Sequence, residues 1–282
     1  MFEYIKTGLC KKVGSPQFGK QDRGVSPGGA MDRFSFQIGN ILLDNPMDSS
    51  ALEIIIPPEL RFTADSFFVL TGGGYKGVSL ILPEKAQSEQ SIEHGVVNYA
   101  PSGSILKFGM KQYGFRTYLC STKSENRSKN IRDRNRGPYN DLAQWTDPDN
   151  IIRVVEGPEY KYLNDPDIFT GNPWKVSNDL SDMGMRLISL RKTPTVSLKN
   201  MISGPVNDGT VQLTPKGPII LLKHRQTIGG YPRIFNVISA DVDQLGQFAP
   251  LQIIRFKKIT MENAFEIARQ KAKDLDRFQQ RF

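Results

Sequence analysis

The sequence predicts a mainly β protein built from antiparallel sheets, and three observations carry that reading. Short strand-like runs such as VVNYA (96–100), SILKFGM (104–110) and FRTYLCS (115–121) follow one another at close, fairly even spacing. Turns rich in Pro, Gly and Asn separate them, the pattern of an antiparallel barrel or sandwich rather than of βαβ units. Only two stretches, one beginning at Ala30 and one near the C-terminus, show clear helical periodicity.

Residues 3–13 alternate loosely and predict a first strand. A loop punctuated by Gly14, Pro16, Gly19, Gly24, Pro27, Gly28 and Gly29 follows. From Ala30, Phe34, Ile38, Ile41 and Leu42 recur at helical spacing until Asp44-Asn45-Pro46 stops the run, so a helix of about four turns is expected. Asp22, Arg23 and Asp32 crowd the start of that helix, either as caps and surface ion pairs or as the polar wall of a site. Two short strands, ALEIII and SFFVLT, are expected across Pro57-Pro58.

Next, TGGGYKG (71–77) matches G-x-G-x-x-G, but a strand-like VSLILP follows where a dinucleotide site needs a helix to receive the pyrophosphate. The dinucleotide reading is therefore rejected, and Val78 after Gly77 breaks the phosphate-loop pattern as well. The polar, basic stretch 121–141 predicts a linker or loop. A second β-rich half starts at IIRVVEGPEY, with a short helix or turn expected over 169–174 and strands in NDLSDMGMRLISL and VQLTPKGPIILL. In the tail, Met261, Phe265, Ala268, Ala272 and Leu275 form an apolar stripe expected to pack on the parent domain, with Thr260 as N-cap.

The stretch LLKHRQTIGGYPRIF (221–235) stands out. An apolar strand over 219–222 breaks into a polar, glycine-paired turn and resumes as a strand over 234–238. Gln226 and Thr227 place an amide and a hydroxyl before Gly229-Gly230, where the backbone can bend unusually or let a ligand come close, and Tyr231 adds a ring with a hydrogen-bonding tip. This is either ordinary hairpin chemistry or a site held on a rigid frame. A strand continued through 219–226 would set Lys223 and Arg225 on one face and His224 and Gln226 on the other.

With 282 residues the chain is long enough for one large or two ordinary domains. No apolar run spans a bilayer and the first residues lack an apolar signal core, so a cytoplasmic location is expected. Cys10 and Cys120 are expected as reduced, buried thiols. Two histidines and no clustered Cys/His spacing argue against zinc. The net charge of +8 is spread along the chain without a nucleic-acid motif, so a solvated basic surface is expected, compatible with an anionic substrate or acidic partner.

Taken together, QDRG (21–24), SPGGAMD (26–32), IGNILLDN (38–45), ALEI (51–54), FRTYL (115–119), EGP (156–158), MGMRL (183–187), VQL (211–213) and RQTIGGYP (225–232) resemble one family in content and order. It is the family of the 5-oxoprolinase C-subunit, called biotin-dependent carboxyltransferase-like and also described as allophanate hydrolase subunit 2 or urea amidolyase-related. Four departures stand out. His224 replaces the family's usual acid, putting a residue type with a reference pKa of about 6.5 in place of a carboxylate. LSDMG lacks the arginine of S-D-R-M-G, SGPV lacks the glutamate of S-E-G-V, and the basic 121–141 stretch replaces a glycine-rich segment.

The resemblance implies two cyclophilin-like antiparallel β-barrel domains, here drawn at 1–145 and 146–282, with a few helices including a C-terminal one. It implies part of a multi-protein enzyme that opens a small cyclic amide, 5-oxoproline, to glutamate with ATP. The implied partners are a cyclophilin-fold protein resembling the B-subunit of 5-oxoprolinase and a protein resembling its A-subunit; a homo-oligomer is also compatible. Gln226, Thr227 and Tyr231, with His224 in the acid's position, are the expected catalytic groups. Arg225, Lys223, Arg186, Gly229, Gly230, Asp22, Asp32 and Asn40 are the expected substrate-binding positions. The alternatives are a non-catalytic regulatory protein that engages a B-subunit-like partner, and carboxyl transfer or allophanate and urea amidolysis, which alone would bring in biotin.

Overall fold

In a computed structural model the described residues are 2–83, 89–126, 149–198 and 201–281. The chain divides into two compact units interleaved in sequence. Unit 1 comprises Met1–Ser15, Asp32–Ala143 and Leu275–Phe282, and unit 2 comprises Pro16–Met31 and Gln144–Asp274. Most of the basic 121–141 stretch, and the 145/146 boundary drawn from the sequence, lie outside the described residues.

Unit 1 holds β1 (Phe2–Lys6), β2 (Leu9–Val13), α1 (Arg33–Leu42), β3 (Ala51–Ile56), β4 (Glu59–Phe62), β5 (Ser66–Lys76), β6 (Ser79–Ile81), β7 (Glu89–Ser91), β8 (Asn98–Ala100), β9 (Ile105–Lys107) and β10 (Met110–Lys123). They form two five-stranded sheets, ordered β1-β4-β9-β6-β7 and β2-β3-β10-β5-β8. The single strand expected over 3–13 is two strands, one in each sheet, because the chain crosses over at Gly8, where a Cβ would sit 2.2 Å from the Ile56 carbonyl oxygen. The pair expected across Pro57-Pro58 also has an extra short strand, β4, inserted.

Ile54, Leu60, Phe62, Phe68, Leu70, Leu80, Leu106 and Leu119 build the apolar core of unit 1. The TGGGYKG motif is no nucleotide loop: Thr71–Lys76 continues β5, and β6 follows it. Helix α1 is ten residues long, a turn shorter than expected, because Asp32 caps it rather than lying inside it, its carboxylate accepting from the Ser35 N–H at 3.0 Å. The helix packs on β5 and β10, and at Gly39 an added Cβ would stand 2.6 Å from the Cys120 sulfur.

Both cysteines are free thiols. Cys120 is buried as expected, whereas Cys10 is only partly so, since β2 is an edge strand. Burial pushes the Cys120 thiol well up, which removes its thiolate at neutral pH. Iodoacetamide on the native chain is expected to leave Cys120 unmodified over hours and to label it within minutes in denaturant, as peptide mass spectrometry will show.

Unit 2 contains β11 (Ile151–Glu156), α2 (Pro166–Gly171), β12 (Pro173–Leu180), β13 (Gly184–Ser189), β14 (Gly204–Pro205), β15 (Thr210–Thr214), β16 (Gly217–Leu221), β17 (Ile228–Gly229), β18 (Arg233–Val237), α3 (Val242–Leu245) and β19 (Ile253–Lys258). Seven strands close a barrel in the order β11-β18-β15-β16-β13-β12-β19, and β14 pairs with β17 outside it. Its pairings are antiparallel except for the seam, where β19 runs parallel to β11. Phe169 stacks on Trp174, Phe235 and Phe256 with ring centroids 4.9, 5.0 and 4.9 Å away, and the Trp174 indole N–H donates to the Phe169 carbonyl.

The C-terminal helix, α4 (Met261–Gln279), starts at Thr260, whose hydroxyl accepts from the Asn263 N–H. Its packed face differs from the expected stripe. Met261, Phe265 and Ala272 are exposed, while Ala264, Ile267, Ala268, Lys271, Leu275 and Phe278 turn inward. The inward face includes a lysine because an acid meets it there, as described below. Among the described residues no helix is long and apolar enough to cross a membrane, and no group of three or more His, Cys, Asp or Glu could hold a metal.

Candidate functional site

Strand β16 ends at Leu221, and the chain then turns back on itself. The Arg225 N–H donates to the Leu222 carbonyl at 3.1 Å, and the His224 N–H to the Asp182 carbonyl at 3.0 Å. This corrects the alternation expected over 219–226. Lys223 and His224 occupy a turn, so the two-faced arrangement of a strand does not apply to them.

The turn gathers segments that lie far apart in sequence. The Gly28 N–H donates to the Lys223 carbonyl at 3.2 Å, and a Cβ at Gly28 would stand 3.2 Å from the His224 ring. The Leu222 N–H donates to Met183, the Val206 N–H to Thr227 and the Leu213 N–H to Pro232. Gly204 pairs with Gly229 through β14 and β17. On the EGP side the Gly157 N–H donates to the Ile234 carbonyl. SPGGAMD, EGP, SDMG, SGPV and VQL thus all meet the 221–235 stretch.

The cations here are already matched. Arg225 is 6% exposed, and its Nε stands 3.0 Å from an Asp208 oxygen. Lys223 and Lys271 bracket Asp243, at 3.3 and 3.0 Å. Burial alone would raise the Asp243 carboxyl, but the two ammonium groups outweigh it and hold it near 2. Arg186 donates to Asp179 and to the Thr214 hydroxyl. Arg233 grips Glu159 with two parallel bonds of 2.8 and 2.6 Å, which hold that carboxyl below its usual range. An anionic ligand at Lys223, Arg225 or Arg186 would have to compete with these carboxylates.

Other polar groups remain open. The side chains of Gln226, Thr227 and Tyr231 make no hydrogen bond among the described residues, and Tyr231 is 48% exposed. Tyr231 and Gly230 line a cavity of about 620 Å³ whose other walls include Val196, Leu198, Met201 and Leu213. Neither Gly229 nor Gly230 takes a positive φ, so the unusual backbone bend expected of them is absent. Gly229 is required for space instead: a Cβ there would lie 2.4 Å from the amide nitrogen of buried Gln212, which donates to the Tyr231 carbonyl at 3.0 Å.

Asp22, Asp32 and Asn40 make none of the contacts just described. Asp22 is exposed in the turn Gln21–Arg23 of unit 2. Asp32 and Asn40 belong to unit 1 and are fully buried. Asp32 serves as the α1 cap, and Asn40 ties α1 to the carbonyls of Met47 and Ser49. Sequence reasoning missed Gln212, Glu159, Arg233, Asp208 and Asp243. Gln212 sits inside VQL and Glu159 directly follows EGP, so both had a local signal. Asp208 and Asp243 had none.

A family model described as "Carboxyltransferase domain, subdomain A and B" matches residues 23–126 and 121–258. The chain is 28% identical to the C-subunit of 5-oxoprolinase from Escherichia coli K12, covering 94% of each chain. It is 28% identical to the C-subunit of 5-oxoprolinase from Haemophilus influenzae, covering 92% of this chain and 91% of that one. The crystal structure of the K. lactis urea amidolyase superposes over 98% of the chain with a TM-score of 0.81 at 22% identity, and the chain spans 20% of that larger protein. Because the family model covers both β-rich halves, including the 221–235 stretch and the segments gathered on it, the chain belongs to the carboxyltransferase domain family, subdomains A and B.

Proposed function

We propose that this chain is one component of a 5-oxoprolinase-type amidohydrolase, opening the ring amide of 5-oxoproline to glutamate with ATP in a complex with A-subunit-like and B-subunit-like partners. The observation that carries the reading is end-to-end similarity to the C-subunit of 5-oxoprolinase from two bacteria, over more than nine-tenths of each chain. The site chemistry supports it. Opening a lactam requires donors aimed at an oxygen that gains charge as the C–N bond weakens. In this reading the Gln226 amide and the Thr227 and Tyr231 hydroxyls, unengaged among the described residues, supply those donors, and the paired cations hold the turn beside them. His224, on the same turn, supplies an imidazole where the family pattern has an acid. ATP is handled together with the partner proteins.

The test is reconstitution with the two partner proteins, 5-oxoproline and ATP, following glutamate and ADP. Gln226→Ala and Tyr231→Phe are each expected to lower kcat by about 10–100-fold with unchanged melting, the scale of losing one donor to a developing oxyanion. A stable complex with no turnover would sink the reading and favour a regulatory role. His224 in the acid's place is the feature that supports that second reading.

A further inference from the structure

The glycines of TGGGYKG, which serve no nucleotide, make room for two side chains of β10. A Cβ at Gly73 would lie 2.8 Å from the Lys111 ammonium nitrogen, and one at Gly74 would lie 2.3 Å from the Tyr113 ring. Gly72 and Gly114, both at positive φ, mark the bulged pairing that brings these side chains onto β5. Lys111 Nζ therefore lies on the strand itself, 4.2 Å above the Tyr75 ring, and donates to the Thr117 hydroxyl at 3.1 Å. That hydroxyl in turn donates a hydrogen bond to the Gly73 carbonyl.

The groups facing Lys111 are Tyr75 from β5, His94 from the 92–97 segment, whose ring neighbours Tyr113, and Thr117 from its own strand. No carboxylate pairs with it among the described residues. Burial without a counter-charge pulls the amine down to about 7. His94 adds a second observation. Its Nε2 accepts the Tyr75 backbone N–H at 3.1 Å, so the ring proton must sit on Nδ1, and Nδ1 is buried without a hydrogen-bond partner. Burial, and then the nearby Lys111 charge, lower this imidazole to about 4, which keeps it neutral. The cluster thus offers a nucleophilic amine and one unused N–H donor in a desolvated setting.

We propose that Lys111 is an acyl-acceptor site, modified by a small activated acyl donor of the acyl phosphate class. The Nζ–carbon bond forms as the carbon–oxygen bond to phosphate breaks, and the released phosphate carries away the amine proton. The product suits the site. A neutral amide costs less to bury than an ammonium group. Its N–H keeps the bond to Thr117, and the loss of the ammonium charge removes the cation that lowers the His94 imidazole.

The experiment uses the full chain with acetyl phosphate between pH 6 and 9, quantifying acetylation at each lysine by peptide mass spectrometry. At pH 7 Lys111 is expected to react about 10–100-fold faster than exposed Lys12 and Lys76, because about half of it is free base against under a thousandth of an ordinary lysine. Its rate should level off above pH 7 while theirs climb about tenfold per unit. His94→Phe should slow Lys111 alone, and Lys111→Arg should abolish the modified peptide while the fold melts normally. A Lys111 rate no greater than those of Lys12 and Lys76, or one that climbs with pH as theirs do, overturns the proposal.

Discussion

Asp243→Ala is expected to lower the Tm of unit 2 by about 10 °C, because it strands two lysines that are little exposed. Removing one side of a buried charge cluster costs about 3–5 kcal/mol, and each kcal/mol moves Tm by about 2–4 °C for a domain of this size. Lys223 and Lys271 are 13% and 15% exposed at the side chain, so water recovers little of the loss. The effect has a pH signature. The native carboxyl titrates near 2 against an ordinary 3.8, so its contribution is fully present above pH 4 and disappears as pH falls toward 2. That contribution is on the order of 2 kcal/mol. The difference between the melting curves of the two proteins should therefore be largest near neutrality and shrink by about half below pH 2. A Tm change under about 2 °C at pH 7 would mean that the lysines do not depend on Asp243. Because Lys223 opens the turn that carries His224 and Arg225, turnover in the reconstituted complex should fall with it.

Gly229→Val should lower turnover by at least about 100-fold, the scale of misplacing a site by an ångström. The new Cβ would overlap the Gln212 amide at 2.4 Å and press on Val206 at 3.1 Å. Gln212 is buried and cannot swing into solvent, so it must release the Tyr231 carbonyl and let the GGYP backbone move. Overpacking of this kind costs about 1–3 kcal/mol of stability. Gly230→Ala is the control, since its Cβ would meet only the Ser203 hydroxyl at 3.2 Å and no positive φ opposes it. Turnover assays on the two variants decide the matter. Equal, small losses would show that the backbone here does not position the reacting groups.

Local signals in the sequence were enough for the helix after Ala30, for the β-rich halves and for rejecting a nucleotide loop at TGGGYKG. Each depends on residue spacing within about a dozen positions, which the chain itself displays. What escaped depends on partners distant in sequence. Lys223, Arg225 and Arg186 are expected from the sequence to bind an anionic ligand, because Asp243, Asp208 and Asp179 cannot be assigned to them without the fold. The 219–226 alternation failed because the chain turns after Leu221, where backbone bonds to Asp182 and Met183 outweigh any strand tendency. In the last helix, spacing selected Met261 and Phe265 although both are exposed, and missed Lys271, which turns inward only because Asp243 neutralises it. Gly229 stands out in the sequence for backbone freedom or the close approach of a ligand, whereas in the fold it is the Gln212 side chain that fills the space beside it.

The parallel seam of the barrel joins the strand that begins unit 2's sheet to the strand that ends it, with Ile151 in register with Arg255. Folding of this barrel is consequently governed by loop-closure entropy across almost its whole length, since neither seam strand has a local partner that could substitute. During synthesis β11 emerges long before β19. Until residues 253–258 leave the ribosome, β11 and β12 each lack a neighbour and expose backbone hydrogen-bonding groups to any passing strand. Closure of the barrel therefore comes last, and its window for mispairing is set by translation speed between β11 and β19.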